Sequence, residues 1–126
     1  MNPTTLARAL AINRILYGVA VILFPTLTNY VWVGRGARKE STRVMSRAVG
    51  ARDLALGVGS LRALDSPDDS RPWFAAHLVA DVTDATATLA AKQTPLLPRL
   101  IALTAATGSA AISGASLAGA LGADEA

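Results

Sequence analysis

The sequence predicts an all-α fold, a four-helix transmembrane bundle whose helices run up-down-up-down in one domain over residues 1–126. Three observations predict it. Hydrophobic residues make up 52% of the chain and charged residues only 17%, which is below the quarter or so that is usual in soluble domains. Four apolar segments of helical length alternate with short polar connectors. Aromatic residues are only 5%, whereas the small residues that let membrane helices approach closely are abundant.

The first predicted helix covers residues 6–33. Its stretch 15–33 carries no charge and comes close to the roughly 20 residues that cross the hydrocarbon core. We expect Pro25 to kink this helix. Tyr30 and Trp32 lie near its end, where amphipathic rings favour the membrane interface. The alternative is a buried helix of a soluble protein followed by a strand.

The second predicted helix covers residues 42–64, and an acidic turn with two prolines follows it over residues 64–72. The third covers residues 73–92 and begins at Trp73. The fourth covers residues 96–121 and carries no charge after Arg99. Its small-residue pairs, such as Ala110 and Gly114, predict close packing within the chain, with a dimer interface as the alternative.

The basic residues of the two connectors at one end of the predicted bundle indicate its orientation. By the positive-inside rule this end is cytoplasmic and both termini lie outside, in a multi-pass protein of the cell membrane. We expect no cleavable signal peptide, because residues 1–5 lack a charged n-region. These basic residues are Arg35, Arg38, Lys39, Arg43, Lys92 and Arg99.

Ionisable residues of the third predicted helix follow one face. His77, Asp81, Asp84 and Thr88 are spaced by four, three and four residues, which places them within a stripe of about 60°. A charge facing the centre of the bilayer costs at least about 3 kcal/mol. We therefore expect this stripe to face the interior of the bundle or a wet cavity.

The second helix supplies counter-charges. Arg52 and Asp53 point about 100° apart, so we expect one to reach the third helix and the other the first. Three arginines balance three aspartates in this inventory, as a low-dielectric interior requires. The predicted binding site or buried polar cluster consists of Asn13, Arg14, Arg47, Arg52, Asp53, His77, Asp81 and Asp84.

This cluster leaves several functions open. It is either a structural ion-pair network that fixes helix register or a site that binds a lipophilic small molecule or a partner. A membrane enzyme, an oxygenase or isomerase with His77 or an aspartate as base and Arg47 or Arg52 stabilising an anion, is the second hypothesis. A proton- or ion-linked transporter subunit using Asp81 and Asp84 is the third. His77 beside Asp81 would form a proton-handling pair.

The remaining expectations concern cofactors and partners. The chain has one histidine and no cysteine, so we expect neither a metal at the cluster nor another cofactor. The net charge is +3, but basic and aromatic residues are not interleaved, so we expect no nucleic-acid partner. The expected partners are the lipid bilayer, a lipophilic small molecule, and further copies of the chain in a homo-oligomer.

Residues 47–57 carry the pattern R-x-x-G-x-R-D, formed by Arg47, Gly50, Arg52 and Asp53, with Gly57 four residues further on. The chain here resembles an uncharacterised family of small four-helix membrane proteins of bacteria and fungi, labelled as a domain of unknown function. The resemblance implies a membrane bundle and implies no activity. The outline is also similar to anthrone-oxygenase-like proteins and the DoxX group, but this likeness is architectural and no motif carries it.

Overall fold

The computed structural model describes residues 3–92 and 95–122, and within these ranges it contains helices and no strand. The all-α prediction is therefore confirmed, while the strand of the alternative is absent from the described residues. Five α-helices and one short 3-10 helix follow one another along the chain. They are α1 (Pro3–Leu23), α2 (Pro25–Val33), the 3-10 helix (Gly34–Arg38), α3 (Glu40–Ala63), α4 (Pro67–Ala90) and α5 (Leu96–Gly122).

The first predicted helix is in fact two helices, because Pro25 breaks it instead of kinking it. Phe24 has φ −125° and ψ 57°, outside the helical region that the residue before a proline avoids. Pro25 then starts α2 near its first position, where the missing N–H needs no partner. The α2 helix ends at Val33, and Gly34 follows with φ +59°, a conformation that favours glycine.

The start of α4 also differs from its prediction. The turn predicted over residues 64–72 is shorter, and α4 begins at Pro67 instead of Trp73. Pro67 lies at the helix start, where proline is well tolerated. Pro72 lies in the second turn and removes only one intrahelical hydrogen bond. The bounds of α3 and α5 agree with the predicted helices 42–64 and 96–121 to within two residues.

Glycines bring α1 and α3 into close antiparallel contact. A Cβ atom added at Gly18 would lie 2.6 Å from the Gly50 carbonyl oxygen, and one added at Gly57 would lie 2.6 Å from the Ala11 carbonyl oxygen. The backbones therefore approach without side chains between them. Because positions in α3 rise from 50 to 57 as those in α1 fall from 18 to 11, the two helices are antiparallel.

The other successive long helices are antiparallel as well, as side-chain contacts show. Positions in one helix of each pair rise while those in the next fall. The α4 helix packs mainly on α5, as α1 packs mainly on α3, and the two pairs meet through α1 with α5 and α3 with α4. The contacts that fix the directions are Ser60–His77 and Arg52–Asp84 between α3 and α4, and Asp81–Ser113 and Arg99–Leu89 between α4 and α5.

Gly114 of α5 has no close packing partner among the described residues, although the sequence predicted one for the pair Ala110 and Gly114. A Cβ atom added at Gly114 would have no heavy atom within 4 Å. The buried residues of α5 are instead Ala102, Ala106, Ser113 and Ser116. The most buried line of α5 therefore runs through these four residues and not through Gly114.

Two stretches of the described chain are long and apolar enough to cross a membrane, Thr4–Leu23 in α1 and Leu96–Ser116 in α5. A core helix of a soluble protein or a signal sequence can have the same length and composition.

Candidate functional site

Arg14 of α1 lies at the centre of the helices and is only 5% exposed. Its Nη1 donates to Asp53 Oδ1 of α3 at 2.7 Å. Its Nη2 donates to Asp81 Oδ1 of α4 and, at 3.1 Å, to Ser109 Oγ of α5. One guanidinium thereby joins the four long helices through charge-assisted hydrogen bonds, which are the stronger class.

Arg52 of α3 forms the second centre, toward one side of the first. Its Nη1 and Nη2 donate to the two carboxylate oxygens of Asp84 at 3.0 and 2.7 Å, a bidentate pair. Its Nη2 also lies 3.2 Å from Asp53 Oδ1. Arg52 thus reaches α4, while Asp53 turns to α1. We call Arg14, Arg52, Asp53, Asp81 and Asp84 the ionic network.

His77 is fully buried but lies apart from the ionic network. Its Nε2 is 2.8 Å from Ser60 Oγ and 3.2 Å from the Leu56 carbonyl oxygen. Its Nδ1 is buried without a hydrogen-bond partner among the described residues. No hydrogen bond joins His77 to Asp81 among the described residues, because Asp81 turns to Arg14 while the imidazole turns to α3. The spacing of four residues places the two side chains on one face of α4 with different hydrogen-bond partners.

Arg47 is outside the cluster, contrary to the prediction. Its side chain is exposed, and its Nε donates to the Ile22 carbonyl oxygen at 3.2 Å. The break at Phe24 explains this position. Carbonyl groups in the last turn of α1 lose helical partners where α1 ends, and Arg47 supplies a donor to one of them.

A partly open cavity of about 350 Å³ lies beside the ionic network. Arg14 and the three aspartates form its polar wall, and most of the other wall residues are small or apolar. Asn13, the last of the eight residues predicted for the polar cluster, is exposed and lines this cavity. The lining residues are Asn13, Arg14, Tyr17, Asn29, Trp32, Val33, Val49, Asp53, Asp81, Asp84, Ala87, Thr88, Ala91, Ala105, Ala106 and Ser109.

Several of these wall residues were not predicted as part of a site. Trp32 and Asn29 come to the cavity on α2, whose separate direction depends on the break at Phe24. Ser109 of α5 lines the cavity and accepts a hydrogen bond from Arg14, while Ser113, outside the cavity wall, donates to Asp81. Their helical spacing was visible in the sequence, but serine on a small-residue helix is equally typical of packing.

A second cavity lies at the end of the bundle where α2 and α4 finish, and it brings together Arg35, Lys39 and Lys92. It shares the wall residues Val33 and Ala91 with the first cavity. The basic connectors predicted to lie at one end of the molecule therefore do meet there. We call this region the basic end.

The carboxylates beside the cavity are arranged as partners of arginines. Among residues 3–92 and 95–122, no group of three or more His, Cys, Asp or Glu side chains is arranged to hold a metal ion. The three aspartates of the ionic network instead face arginines. A cavity with one polar wall and apolar remaining walls is the usual form of a small-molecule site.

No family model matches the chain, and no curated protein or solved structure is significantly similar to it. The resemblance of residues 47–57 to the uncharacterised membrane family therefore stays a prediction. The function proposed below follows from the positions and chemistry of the side chains alone.

Proposed function

We propose that the chain is a four-helix integral membrane protein, with α1, α3, α4 and α5 crossing the bilayer up-down-up-down, that binds a small lipophilic molecule in the cavity beside the ionic network. The proposal has two parts, the membrane placement and the ligand. Different observations support each part, and a separate experiment tests each.

The membrane placement is supported chiefly by an inverted distribution of side chains. The largest fully buried side chains are His77, Val21, Ser60 and Ser113, and most other buried apolar residues are alanines. Large aliphatic side chains lie outside instead, with Leu27 at 73% exposure. A soluble domain of this size hides most of its large aliphatic side chains from water. In a bilayer the same side chains face acyl chains.

Exposed threonines fit the same surroundings. Thr83, Thr86, Thr104 and Thr107 all lie on the outer surface, and each hydroxyl donates to a backbone carbonyl of its own helix at 2.7 to 2.9 Å. The hydrocarbon core offers no water to satisfy an exposed hydroxyl. A threonine that bonds back to the preceding turn needs no other partner.

The α3 and α4 helices are the less apolar pair, but Asp53 and Asp81 in their middle turns face inward, while the exposed Arg47 and Arg62 lie nearer the two ends of α3. Each has 24 residues and is therefore about 36 Å long, enough for a hydrocarbon core of about 30 Å. Asp53 and Asp81 are buried against Arg14. Within the apolar stretch Leu96–Ser116 of α5, only 17% of the residues are buried. This small share argues against α5 being the core helix of a soluble protein.

The proposed ligand site is the cavity of about 350 Å³. This volume falls in the range of roughly 300 to 1,000 Å³ that is typical of small-molecule sites. A purely structural ion-pair network would be dry and fully packed, whereas here a carboxylate, Asp84, keeps 24% of its side chain exposed. For an enzyme the sequence offered His77 or an aspartate as base: His77 does not line the cavity, and the aspartates that line it are paired with Arg14 and Arg52.

Single cysteines test the membrane placement, because the chain has no native cysteine. We expect Leu16→Cys in α1 and Val79→Cys in α4 to resist a water-soluble maleimide in intact membranes and to react after solubilisation in sodium dodecyl sulfate. Lys39→Cys at the basic end is the matched reactive control and should react from the cytoplasmic side only. The membrane proposal fails if Val79→Cys reacts in intact membranes as fast as Lys39→Cys.

A blocked cavity tests the ligand. The protein is purified in mild detergent, and co-purifying small molecules are identified by mass spectrometry. Ala105→Leu places bulk in the cavity wall, while Ala111→Leu adds the same bulk to an exposed position of α5 outside that wall. We expect a bound molecule with the native chain and Ala111→Leu but not with Ala105→Leu. Equal occupancy in the two variants would contradict binding in this cavity.

A further inference from the structure

The ionic network does not balance its own charge. It contains two guanidinium groups, Arg14 and Arg52, and three carboxylates, Asp53, Asp81 and Asp84. The formal charge is therefore −1. The sequence had suggested neutrality because it counted Arg47, which the structure places on the outer surface against Ile22.

No other described charge lines the cavity to compensate the network. Among the lining residues the charged ones are Arg14 and the three aspartates, and Tyr17 is neutral. The cations Arg35, Lys39 and Lys92 line the second cavity at the basic end instead. A net charge in a low-dielectric interior is strongly unfavourable unless an opposite charge accompanies it.

We propose that the ligand of the cavity is a lipophilic organic monocation, an amine or quaternary ammonium whose positive group lies against Asp84 and Asp81. This inference rests on the proposed function, since it names the class of molecule that the same cavity binds. Asp84 is the carboxylate of the network with the larger exposed fraction, 24% against 6% for Asp81. It is therefore the one that a ligand in the cavity reaches first.

The other walls of the cavity suit an organic cation better than a bare ion. Trp32 and Tyr17 line it, and the faces of aromatic rings attract ammonium groups. Val49, Ala87 and Ala106 supply apolar surface for the remainder of the molecule. The described residues offer no cluster of carboxylates and imidazoles with the arrangement that a metal ion needs.

The native tryptophans provide a direct reporter. The chain has only two, and Trp32 lines the cavity while Trp73 packs over Gly59. In a Trp73→Phe background, the fluorescence of Trp32 reports on the cavity alone. Phenyltrimethylammonium is the cationic probe and tert-butylbenzene is its neutral isostere, because a carbon replaces the nitrogen at nearly equal size. Both are titrated into the protein in zwitterionic nanodiscs.

We expect phenyltrimethylammonium to change the Trp32 emission saturably and to bind at least about tenfold more tightly than tert-butylbenzene. Asp84→Asn should lower the affinity for the cation by about tenfold or more, whereas the affinity for the neutral probe should stay the same. Asp84→Glu should retain most of the native affinity for the cation. Asp69→Asn, an exposed aspartate of the same helix, is the matched control and should change neither probe.

Three outcomes overturn the inference, and the first two also distinguish its failure from the failure of the proposed function. If both probes bind equally and Asp84→Asn has no effect, the cavity binds lipophilic molecules without regard to charge, so the proposed function survives and the cation assignment fails. If neither probe binds saturably, the cavity takes up neither the cation nor its neutral isostere, and both the cation assignment and ligand binding in the cavity fail. A loss of cation affinity that Asp84→Glu does not restore also contradicts the assignment.

Discussion

The close approach of α1 and α3 predicts that Gly57 tolerates no side chain. An added Cβ would lie 2.6 Å from the Ala11 carbonyl oxygen, 2.8 Å from Ile15 Cγ1 and 3.0 Å from the Ile15 nitrogen. Carbon contacts are comfortable near 3.5 to 4.0 Å, so the helices would have to separate by nearly an ångström. Two of the three neighbours are backbone atoms and cannot rotate away.

The expected change in the free energy of unfolding of Gly57→Ala is the result of two opposing effects. Gly57→Ala overpacks the interface at a cost of about 1 to 3 kcal/mol, while alanine in place of glycine favours a helix by up to about 1 kcal/mol. Gly108→Ala has the second effect alone, because no heavy atom lies within 4 Å of its added Cβ. The difference between the two variants therefore isolates the overpacking cost.

The assay is denaturation in mixed detergent micelles, with helix content followed by circular dichroism. We expect Gly57→Ala to lie about 1 to 3 kcal/mol below Gly108→Ala in free energy of unfolding. A Gly57→Ser variant should resemble Gly57→Ala, since its Cβ meets the same atoms. If Gly57→Ala is as stable as Gly108→Ala, the two backbones are not in contact and the antiparallel pairing of α1 with α3 is wrong.

Two further predictions concern the buried polar groups, and the same denaturation assay checks both. Arg14→Gln should lower the free energy of unfolding by about 3 to 5 kcal/mol, because it leaves the buried Asp81 without its guanidinium and Asp53 with Arg52 alone. The exposed Arg47→Gln should change the free energy of unfolding by less than about 1 kcal/mol, and equal losses would mean that Arg14 is not the centre of the network. Ser60→Ala should lower the free energy of unfolding by about 1 to 3 kcal/mol, because it removes the closest hydrogen-bond partner of His77 Nε2. Ser41 is exposed on the same helix, and Ser41→Ala should leave the free energy of unfolding nearly unchanged. No difference between the two serine variants would show that this hydrogen bond does not stabilise the fold.

The sequence could predict the polar interior because helical periodicity fixes angles on a single helix. Arg52 and Asp53 point in different directions because they are neighbours in a helix. In the structure Arg52 contacts Asp84 of α4 and Asp53 contacts Arg14 of α1. The polar stripe of α4 predicted in the same way that Asp81 faces the interior of the bundle, where it is buried. Both inferences use only local geometry, which the sequence determines well.

The sequence could not predict what depends on relations between helices. Arg47 was counted in the cluster because its helix carries other charges, but the break at Phe24 provides a carbonyl partner elsewhere. His77 and Asp81 share a face but have different neighbours across it. The cavity depends on the direction of α2 after the break, which brings Trp32 to its wall, and no periodicity within one helix contains that direction.

The cavity and the ionic network have a common origin in the uneven spacing of the helices. Glycines draw α1 and α3 together until their backbones touch, but the interior-facing residues between this pair and α5 are small, such as Ala106 and Ser113. Small residues that do not meet backbone to backbone leave a gap, and Arg14 is long enough to cross it and reach three other helices. The guanidinium fills only part of the gap, and what remains is the cavity. The polar wall is therefore a consequence of how the helices are held apart, because the side chain that bridges the gap is charged and brings Asp53 and Asp81 to the same place.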